Sequence, residues 1–325
     1  MTTLRDLGEF GLIERLTRGL PLSEDVLQGV GDDCAVVRVG DRILLISTDA
    51  AIEEVHFSRR TASPADIGWK AAAAALSDIA AMGGEARFVL VTLACPVDTE
   101  AEAVEALYGG IRQAVEACGA AIIGGDTTQS LARIVLDIVV IGEAVKGNYR
   151  LRRGARPGDV LAVTGYPGCS AAGLLALGAH VAAPPLVAAH LRPMPRLEEG
   201  RWLARRDEVH AIIDVSDGLA QDAGHVAAAG DLGLDIDPNA LPIAPALEAH
   251  RDALGISPRD LAIAGGEDYE LAVAIDGAAH HQVIAAFRSA FDVPITVVGQ
   301  FTDAPKGIRV AGVTLTRLGF QHFRR

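Results

Sequence analysis

The chain has 325 residues, half of them hydrophobic, and a formal net charge of -13. That length predicts two domains, and so apolar a composition supports large cores and excludes a disordered chain. The acidic balance excludes the basic footprint of a nucleic-acid binder and a polybasic membrane surface.

Residues 8–20 carry Phe10, Ile13 and Leu16 on one face, which predicts a short amphipathic helix. A loop follows over 21–31. Two apolar runs, 34–39 and 43–47, flank Gly40-Asp41 and predict a hairpin, with Asp49 just past its second strand. Ser63-Pro64 predicts a helix start, the alanine-rich run 65–82 its body and Gly83-Gly84 its end. Asp78 falls in the last turns, where an acid opposes the helix dipole; a bound cation would relieve it, and so would solvation of the side chain. Residues 86–95 predict a buried strand. Thr99 and Glu102 predict a capping box for a helix to about Cys118. Strands are expected at 122–123 and 134–145, with Gly124-Gly125-Asp126 directly after the first. The basic stretch 146–158 lacks apolar periodicity, and the domain boundary is placed there, between 148 and 149. Beyond it, strands at 159–164, 210–213, 268–275 and 295–301 alternate with helices from 170, 218 and 279; residues 184–196 are proline-rich. The expected class is α/β, in layers of α+β type, over two domains.

The acids form a pattern. Gly29-Val30-Gly31-Asp32-Asp33, Ser47-Thr48-Asp49, Ser77-Asp78, Gly124-Gly125-Asp126-Thr127-Thr128, Asp214-Val215-Ser216-Asp217-Gly218 and Gly265-Gly266-Glu267-Asp268 set carboxylates beside glycines or hydroxyls. Two like charges about 4 Å apart repel by roughly 4 kcal/mol at an effective dielectric of about 20. Gathered carboxylates are therefore expected to meet cations, and aspartate with serine or threonine offers hard oxygens suited to magnesium or manganese. For any single aspartate a turn role is the simpler reading; the repetition favours a shared site. Asp214 to Gly218 joins a strand to a helix, whose start offers free amides to a phosphate, or only a cap. His56, Tyr108 and the arginines Arg150, Arg152 and Arg153 have ordinary packing or linker roles as their simplest reading, and substrate contacts if the acidic site is real. Gly165 to Gly168, with Gly173 beyond, departs from the dinucleotide spacing and reads as a tight turn.

Cys34, Cys95, Cys118 and Cys169 are scattered, which predicts neither zinc knuckle nor disulfide framework and makes a reducing cytoplasm the expected compartment. No signal-peptide pattern is evident, and no apolar run reaches the ~18 residues of a membrane span. The three lysines, Lys70, Lys146 and Lys306, lie outside any Walker string, so a P-loop is excluded.

Taken together, GEFGLIERL, GVGDDCAVV, STDAAIEEVHF, DIGWKAAAAALSDIAAMGG, GGDTT, LRRGARPGD, DVSDGLAQDAGH, GGEDYEL and the closing Gly319-Phe320-Gln321-His322-Phe323 resemble the thiamine-monophosphate kinase family, within the superfamily of aminoimidazole ribonucleotide and selenophosphate synthetases. The resemblance runs from Gly8 to the last residues. It implies an amino-terminal domain that pairs in a homodimer and a carboxy-terminal domain that closes a nucleotide cleft. It implies ATP-dependent phosphorylation of thiamine monophosphate with several magnesium ions. By motif, Asp32, Ser47, Thr48, Asp49, Asp78, Asp126, Asp214 and Asp217 would hold metal. Tyr108, Gly125, Arg152 and Ser216 would contact ATP; His56, Glu267 and Phe320 would contact the thiamine phosphate. Members of the family usually show glycine where Glu54 stands, asparagine at Ala75 and serine at Arg153.

Such an acceptor is a phosphate monoester with a second pKa of about 6, so it needs no base at neutral pH. The aspartates are expected to act as ligands. One alternative is a superfamily relative with another acceptor; the reactive amino-terminal Cys of a selenophosphate synthetase has no counterpart before Cys34. A catalytically silent scaffold would have no need of so many crowded acids, and a dehydrogenase built on Gly165–Gly173 has the wrong loop.

Overall fold

The computed structural model describes residues 2–303, 306–315, 319–320 and 322–323, so Gln321 of the closing string lies outside the described residues. The first half runs α1 (Leu4–Thr17), β1 (Val26–Gln28), β2 (Ala35–Val39), β3 (Arg42–Ile52), α2 (Pro64–Ala81), β4 (Glu85–Cys95), α3 (Ala101–Ala117), β5 (Ala121–Gln129) and β6 (Val135–Glu143). Its strands form a six-stranded sheet in the order β1-β2-β3-β6-β4-β5. β4 and β5 pair in parallel and the other neighbours antiparallel.

The second half runs β7 (Val160–Thr164), α4 (Cys169–Ala179), α5 (Pro184–Leu191), α6 (Leu197–Ala204), β8 (Val209–Val215), α7 (Leu219–Ala229), β9 (Gly233–Ile236), α8 (Pro245–Leu254), α9 (Pro258–Ala264), β10 (Glu270–Ile275), α10 (His280–Ala290), β11 (Ile295–Thr302), β12 (Gly307–Val310) and β13 (Val313–Thr314). The sheet order is β13-β12-β9-β11-β7-β10-β8, antiparallel except between β12 and β9. Both halves are mixed helix-and-sheet layers of α+β type, the expected class.

The hairpin forms as expected, from Ala35 opposite Ile46 to Val39 opposite Arg42. Three local expectations are corrected. Asp49 lies inside β3, not past its end, because β6 pairs β3 all the way from Leu44 to Ile52. Gly125 and Asp126 likewise lie inside β5, which β4 partners from Ala121 to Gln129. The helix after Thr99 is capped at Glu100 with no side-chain bond, so the Thr99–Glu102 box does not form. The first helix starts earlier than expected, at Leu4, where Thr3 and Asp6 form a capping box. The proline-rich stretch holds α5, because Pro184 occupies a first-turn position that needs no N–H. Helices α6, α8 and α9 and strands β9, β12 and β13 have no counterpart among the expected elements, and β1 forms inside the stretch 21–31 expected as a loop, by pairing with β2.

Helix α2 is the centre of the molecule. The Ser63 hydroxyl accepts the Asp66 N–H at 3.2 Å and starts it as expected. Most of its residues are buried, and its alanines keep it thin enough to be packed from several sides. α3 crosses it so closely that a Cβ on Gly68 would lie 1.9 Å from the Leu107 carbonyl oxygen, and one on Gly110 1.9 Å from that of Ala65. Leu76 and Ile79 seat it on the first sheet against Leu45, Leu136 and Ile138, each such side chain contributing about 1.5–3 kcal/mol by burial. Its far end meets the second domain, where Ala80 and Ala81 join the core of Leu203, Ala204 and Phe287.

The first sheet is two-faced. Along β6, Leu136, Ile138, Val140 and Gly142 are buried, while Val135, Asp137, Val139 and Ile141 alternate with them and are only half-buried. The Asp32-Asp33 loop before β2, the middle of β3, the last turns of α2 and the end of β8 converge where the two domains meet.

Candidate functional site

Asp33, Asp78 and Asp214 each bring a carboxylate oxygen within 4.8 Å of the others. They come from a loop, from α2 and from β8. The Ser47 hydroxyl donates to Asp78 at 2.5 Å, and that of Ser77 to Asp214 at 2.7 Å. Arg152 donates to Asp33 at 2.7 Å, while its backbone N–H meets both oxygens of Asp32 at 3.2 and 3.1 Å. Ionised together, these carboxylates repel by on the order of 3–4 kcal/mol per pair. Burial, then Asp214 and Asp33, pushes Asp78 well above the usual carboxylate range. Burial and then Asp33 raise Asp214 to about 7; burial and Asp33 raise Asp32 to about 6.

This donor set fits a divalent cation. The Asp33 side chain is fully buried, yet its Oδ2 has no hydrogen-bond partner. An orphaned buried carboxylate oxygen is costly unless something positive meets it. All the donors are hard oxygens, as magnesium prefers. Neighbouring Cys34 stays a thiol, its pKa pushed far up by burial and then by Asp78 and Asp33, and so offers no competing thiolate.

A cleft of about 710 Å³ opens beside the cluster, lined among others by Thr48, Asp49, His56, Asp78, Asp214, Ser216, Asp217, Glu267 and Phe320. Burial raises both Asp49 and Asp217 to about 6. His56 accepts the Ile52 N–H through Nδ1 at 3.0 Å, which leaves Nε2 to meet His322 Nε2 at 3.4 Å. Phe320 stands edge-on to His322 with ring centres 5.0 Å apart. Gln221 bonds both the Asp217 carboxylate at 2.7 Å and the Phe320 carbonyl at 2.6 Å, holding the closing segment over α7.

Of the two readings of the α7 start, a phosphate site or a capped helix end, the structure shows the capped one. The amides of Ser216, Asp217 and Gly218 are not free for a phosphate, since all three donate to Asp222 Oδ2 at 3.0 Å. Ser216 has only its side chain to offer a ligand. Gly165 to Gly168 is a strand-to-helix turn as expected, and the Gly168 and Ser170 amides are taken by Asp268. Of the three arginines, Arg150 is spent on the carbonyls of Val209 and Arg206, both at 2.7 Å, Arg153 is exposed, and Arg152 faces the acids.

Tyr108, Gly125 and Asp126 are not brought into the cleft. They line a separate groove of about 610 Å³ between α3 and β5, with Arg112 and Thr127. Asp49 is in register with Ile138, Val91 and Gly125, and three strand spacings put β5 about 14 Å from β3. Thr48 turns its hydroxyl to Asp137 at 2.6 Å, on the half-buried face of the sheet.

Two features of the site have weak sequence signals. Asp33 joins the cluster in place of Asp32, though the two are adjacent and chemically identical. Lys70 is buried in the cleft wall with its Nζ 2.7 Å from Glu267 and 3.4 Å from His190, a meeting of residues over 100 positions apart. Only the scarcity of lysine pointed to it.

Residues 31–144 match the family model for the AIR synthase related protein, N-terminal domain, and residues 156–311 that for its C-terminal domain. The chain is 34% identical to the thiamine-monophosphate kinase of Bacillus subtilis (strain 168), over 98% of this chain and 100% of the relative. It is 36% identical to that of Escherichia coli (strain K12), over 97% and 98%. A solved structure, AaThiL complexed with AMPPCP and TMP, superposes with a TM-score of 0.87 at 31% identity, covering 99% of each chain. The chain belongs to the thiamine-monophosphate kinase family.

Glu54, where the resemblance implies glycine, sits on backbone that would suit one. Glu54 is held at φ 61, a left-handed conformation that suits glycine and costs other residues roughly 1–2 kcal/mol. Here Ser58 and Arg60 bond its carboxylate at 2.8 and 3.2 Å and hold the turn. Ala75 is fully buried inside α2. Among the described residues no single helix is long and apolar enough to cross a membrane.

Proposed function

We propose that the protein transfers the γ-phosphoryl group of ATP in line to thiamine monophosphate, giving thiamine diphosphate, with magnesium ions as cofactors. The observation that carries this reading is the convergence of Asp33, Asp78 and Asp214 from three separate elements, with one buried oxygen unpartnered. Full-length likeness to thiamine-monophosphate kinases supports the choice of donor and acceptor.

Asp32, Ser47, Thr48, Asp49, Asp78, Asp214 and Asp217, joined by Asp33, would hold the metal ions; Asp126, in the separate groove, would join them only across the homodimer proposed below. Magnesium bound there supplies positive charge between two anionic phosphates and so reduces their repulsion. The protein's own part is placement. Arg152 is fixed by Asp33 at the cluster and is available to the nucleotide, with Ser216 beside it in the cleft; Tyr108 and Gly125, in the separate groove, would contact it only across the homodimer proposed below. His56, Glu267 and Phe320 offer an imidazole, a carboxylate and an aromatic face to the acceptor, whose thiazolium ring is cationic and whose aminopyrimidine is neutral. No side chain is needed as general base, because the attacking phosphate is already largely deprotonated at neutral pH.

Residues 1–148 form the metal-binding and dimerising domain, and 149–325 the domain that closes the cleft. A homodimer is supported by the half-buried face of the first sheet and by its edge strand β5, which leaves Ile123 and the Asp126 groove open. A second copy laid on this surface would cover it, and light scattering on the purified protein tests that assembly. The cytoplasm is the compartment in which ATP and magnesium meet this site.

The deciding experiment incubates the protein with ATP, magnesium and thiamine monophosphate and separates the products as fluorescent thiochromes. Thiamine diphosphate that depends on both ATP and magnesium is the expected result. Nucleotide turnover only with another acceptor moves the protein elsewhere in its superfamily; no turnover overturns the reading.

A further inference from the structure

We propose that Lys70 is a positioning residue for the acceptor: its ammonium, backed by His190 and Ser170, pins one oxygen of Glu267 so that the other is presented to the cleft. The inference rests on the phosphotransfer reading above, in which Glu267 contacts thiamine monophosphate.

The arrangement starts from a buried cation. Lys70 projects from α2 with a side chain only 9% exposed, and its Nζ lies 2.7 Å from Glu267 Oε1. An ammonium so deep is tolerated only with a counter-charge and further hydrogen-bond partners. Glu267 supplies the counter-charge and His190 of α5 one acceptor nitrogen, its two ring nitrogens lying 3.4 Å from Nζ. Burial and then Lys70 hold His190 down to about 4, so its ring is neutral and can accept from the ammonium. Ser170, itself fully buried, meets His190 Nδ1 at 3.1 Å and completes the chain.

Glu267 is fixed from its other end as well. Its backbone is left-handed at φ 65, and its N–H donates to the Ser216 carbonyl at 2.7 Å. With Oε1 on Lys70, Oε2 lies 3.7 Å from His190 Nδ1, beyond hydrogen-bonding reach. The carboxylate thus keeps one oxygen for a ligand carrying a cation or an N–H, which the thiazolium and the aminopyrimidine of the acceptor provide. Lys70 comes from the first domain and Glu267 from the second, so this carboxylate is aimed only when the domains are assembled.

The test compares Lys70→Met, Glu267→Gln, the double variant and His190→Gln with the wild type by steady-state kinetics in both substrates. Lys70→Met should raise the KM for thiamine monophosphate about tenfold or more, the scale of one charge-assisted hydrogen bond. The KM for ATP should stay within about twofold, which also certifies the fold. The double variant should bind the acceptor no worse than Glu267→Gln alone, because the two residues act as a unit. His190→Gln should shift the acceptor KM the same way, by less. Equal loss in both substrates, an unchanged acceptor KM, or additive effects in the double variant would overturn the inference. A wild type with no turnover of thiamine monophosphate would overturn the parent reading, and this inference with it.

Discussion

The Ser77 hydroxyl donates to Asp214 over 2.7 Å, so one hydrogen bond joins α2 of the first domain to β8 of the second at the acid cluster. Both residues are buried. Ser77→Ala should cost about 1–3 kcal/mol in urea unfolding of the metal-free protein, since it strands a buried acceptor. The neighbouring Ser47→Ala variant removes only a half-buried donor to Asp78 and should cost less.

The crowded carboxylates oppose folding until cations reach them. Asp78→Asn and Asp214→Asn should therefore abolish turnover and, at the same time, raise the melting temperature of the protein in EDTA. The stabilisation gained on adding magnesium should shrink in both. A magnesium-induced shift equal to that of the wild type would remove these residues from the metal site. Asp49→Asn and Asp126→Asn should also lose turnover with the fold intact, by circular dichroism.

The pH dependence has a definite sign. Folded-state values near 6 for Asp32, Asp49 and Asp217, and about 7 and 8 for Asp214 and Asp268, lie above the unfolded ~3.9. The folded protein then binds more protons than the unfolded chain, and the stability so contributed is lost as pH rises through the folded values. Metal-free protein should melt higher at about pH 6.5 than at about pH 8.5. Below about pH 6.5 the trend should weaken, because His56, His190 and His225 are lowered by burial and resist the protons that the unfolded chain takes up. The stabilisation by magnesium should run the other way and grow with pH, since the cation needs the ionised carboxylates.

Asp222 holds three amides with one oxygen. Asp222→Ala should cost about 2–3 kcal/mol or more, because three backbone donors, the Gly218 amide buried and the other two half-buried, lose their shared acceptor together. It should also weaken magnesium binding, as the loop carrying Asp217 loses its shape; a titration followed by melting temperature would show this. Normal stability in this variant would mean that water replaces the carboxylate.

Much of the site was legible because its chemistry lies in short strings. Asp32-Asp33, Ser47-Thr48-Asp49, Ser77-Asp78 and Asp214 to Asp217 each read as hard-oxygen donors, and the fold gathers most of them. What was not legible depends on partners distant in the chain. The extent of β3 and β5 is decided by pairing with β6 and β4, so Asp49 and Asp126 looked like turn residues. The capture of the α7 amides by Asp222 is a matter of rotamer, and Lys70 meets Glu267 across nearly 200 positions. Asp33 and Asp32 differ only in which way the backbone turns them, and no string records that.

Helix α2 does more than carry Lys70, Ser77 and Asp78. A Cβ on Gly200 of α6 would lie 2.0 Å from the Ala80 carbonyl oxygen, and one on Gly83 2.2 Å from the Ala204 methyl. The seam between the halves is as tight as either interior and runs along a helix that belongs to both. The two sheets are therefore joined along a packed helix as well as through the chain. Severing the chain in the loop after β6 would not release two self-sufficient parts: each fragment would expose an alanine-lined surface fitted to the other, and the fragments would be expected to recombine on mixing.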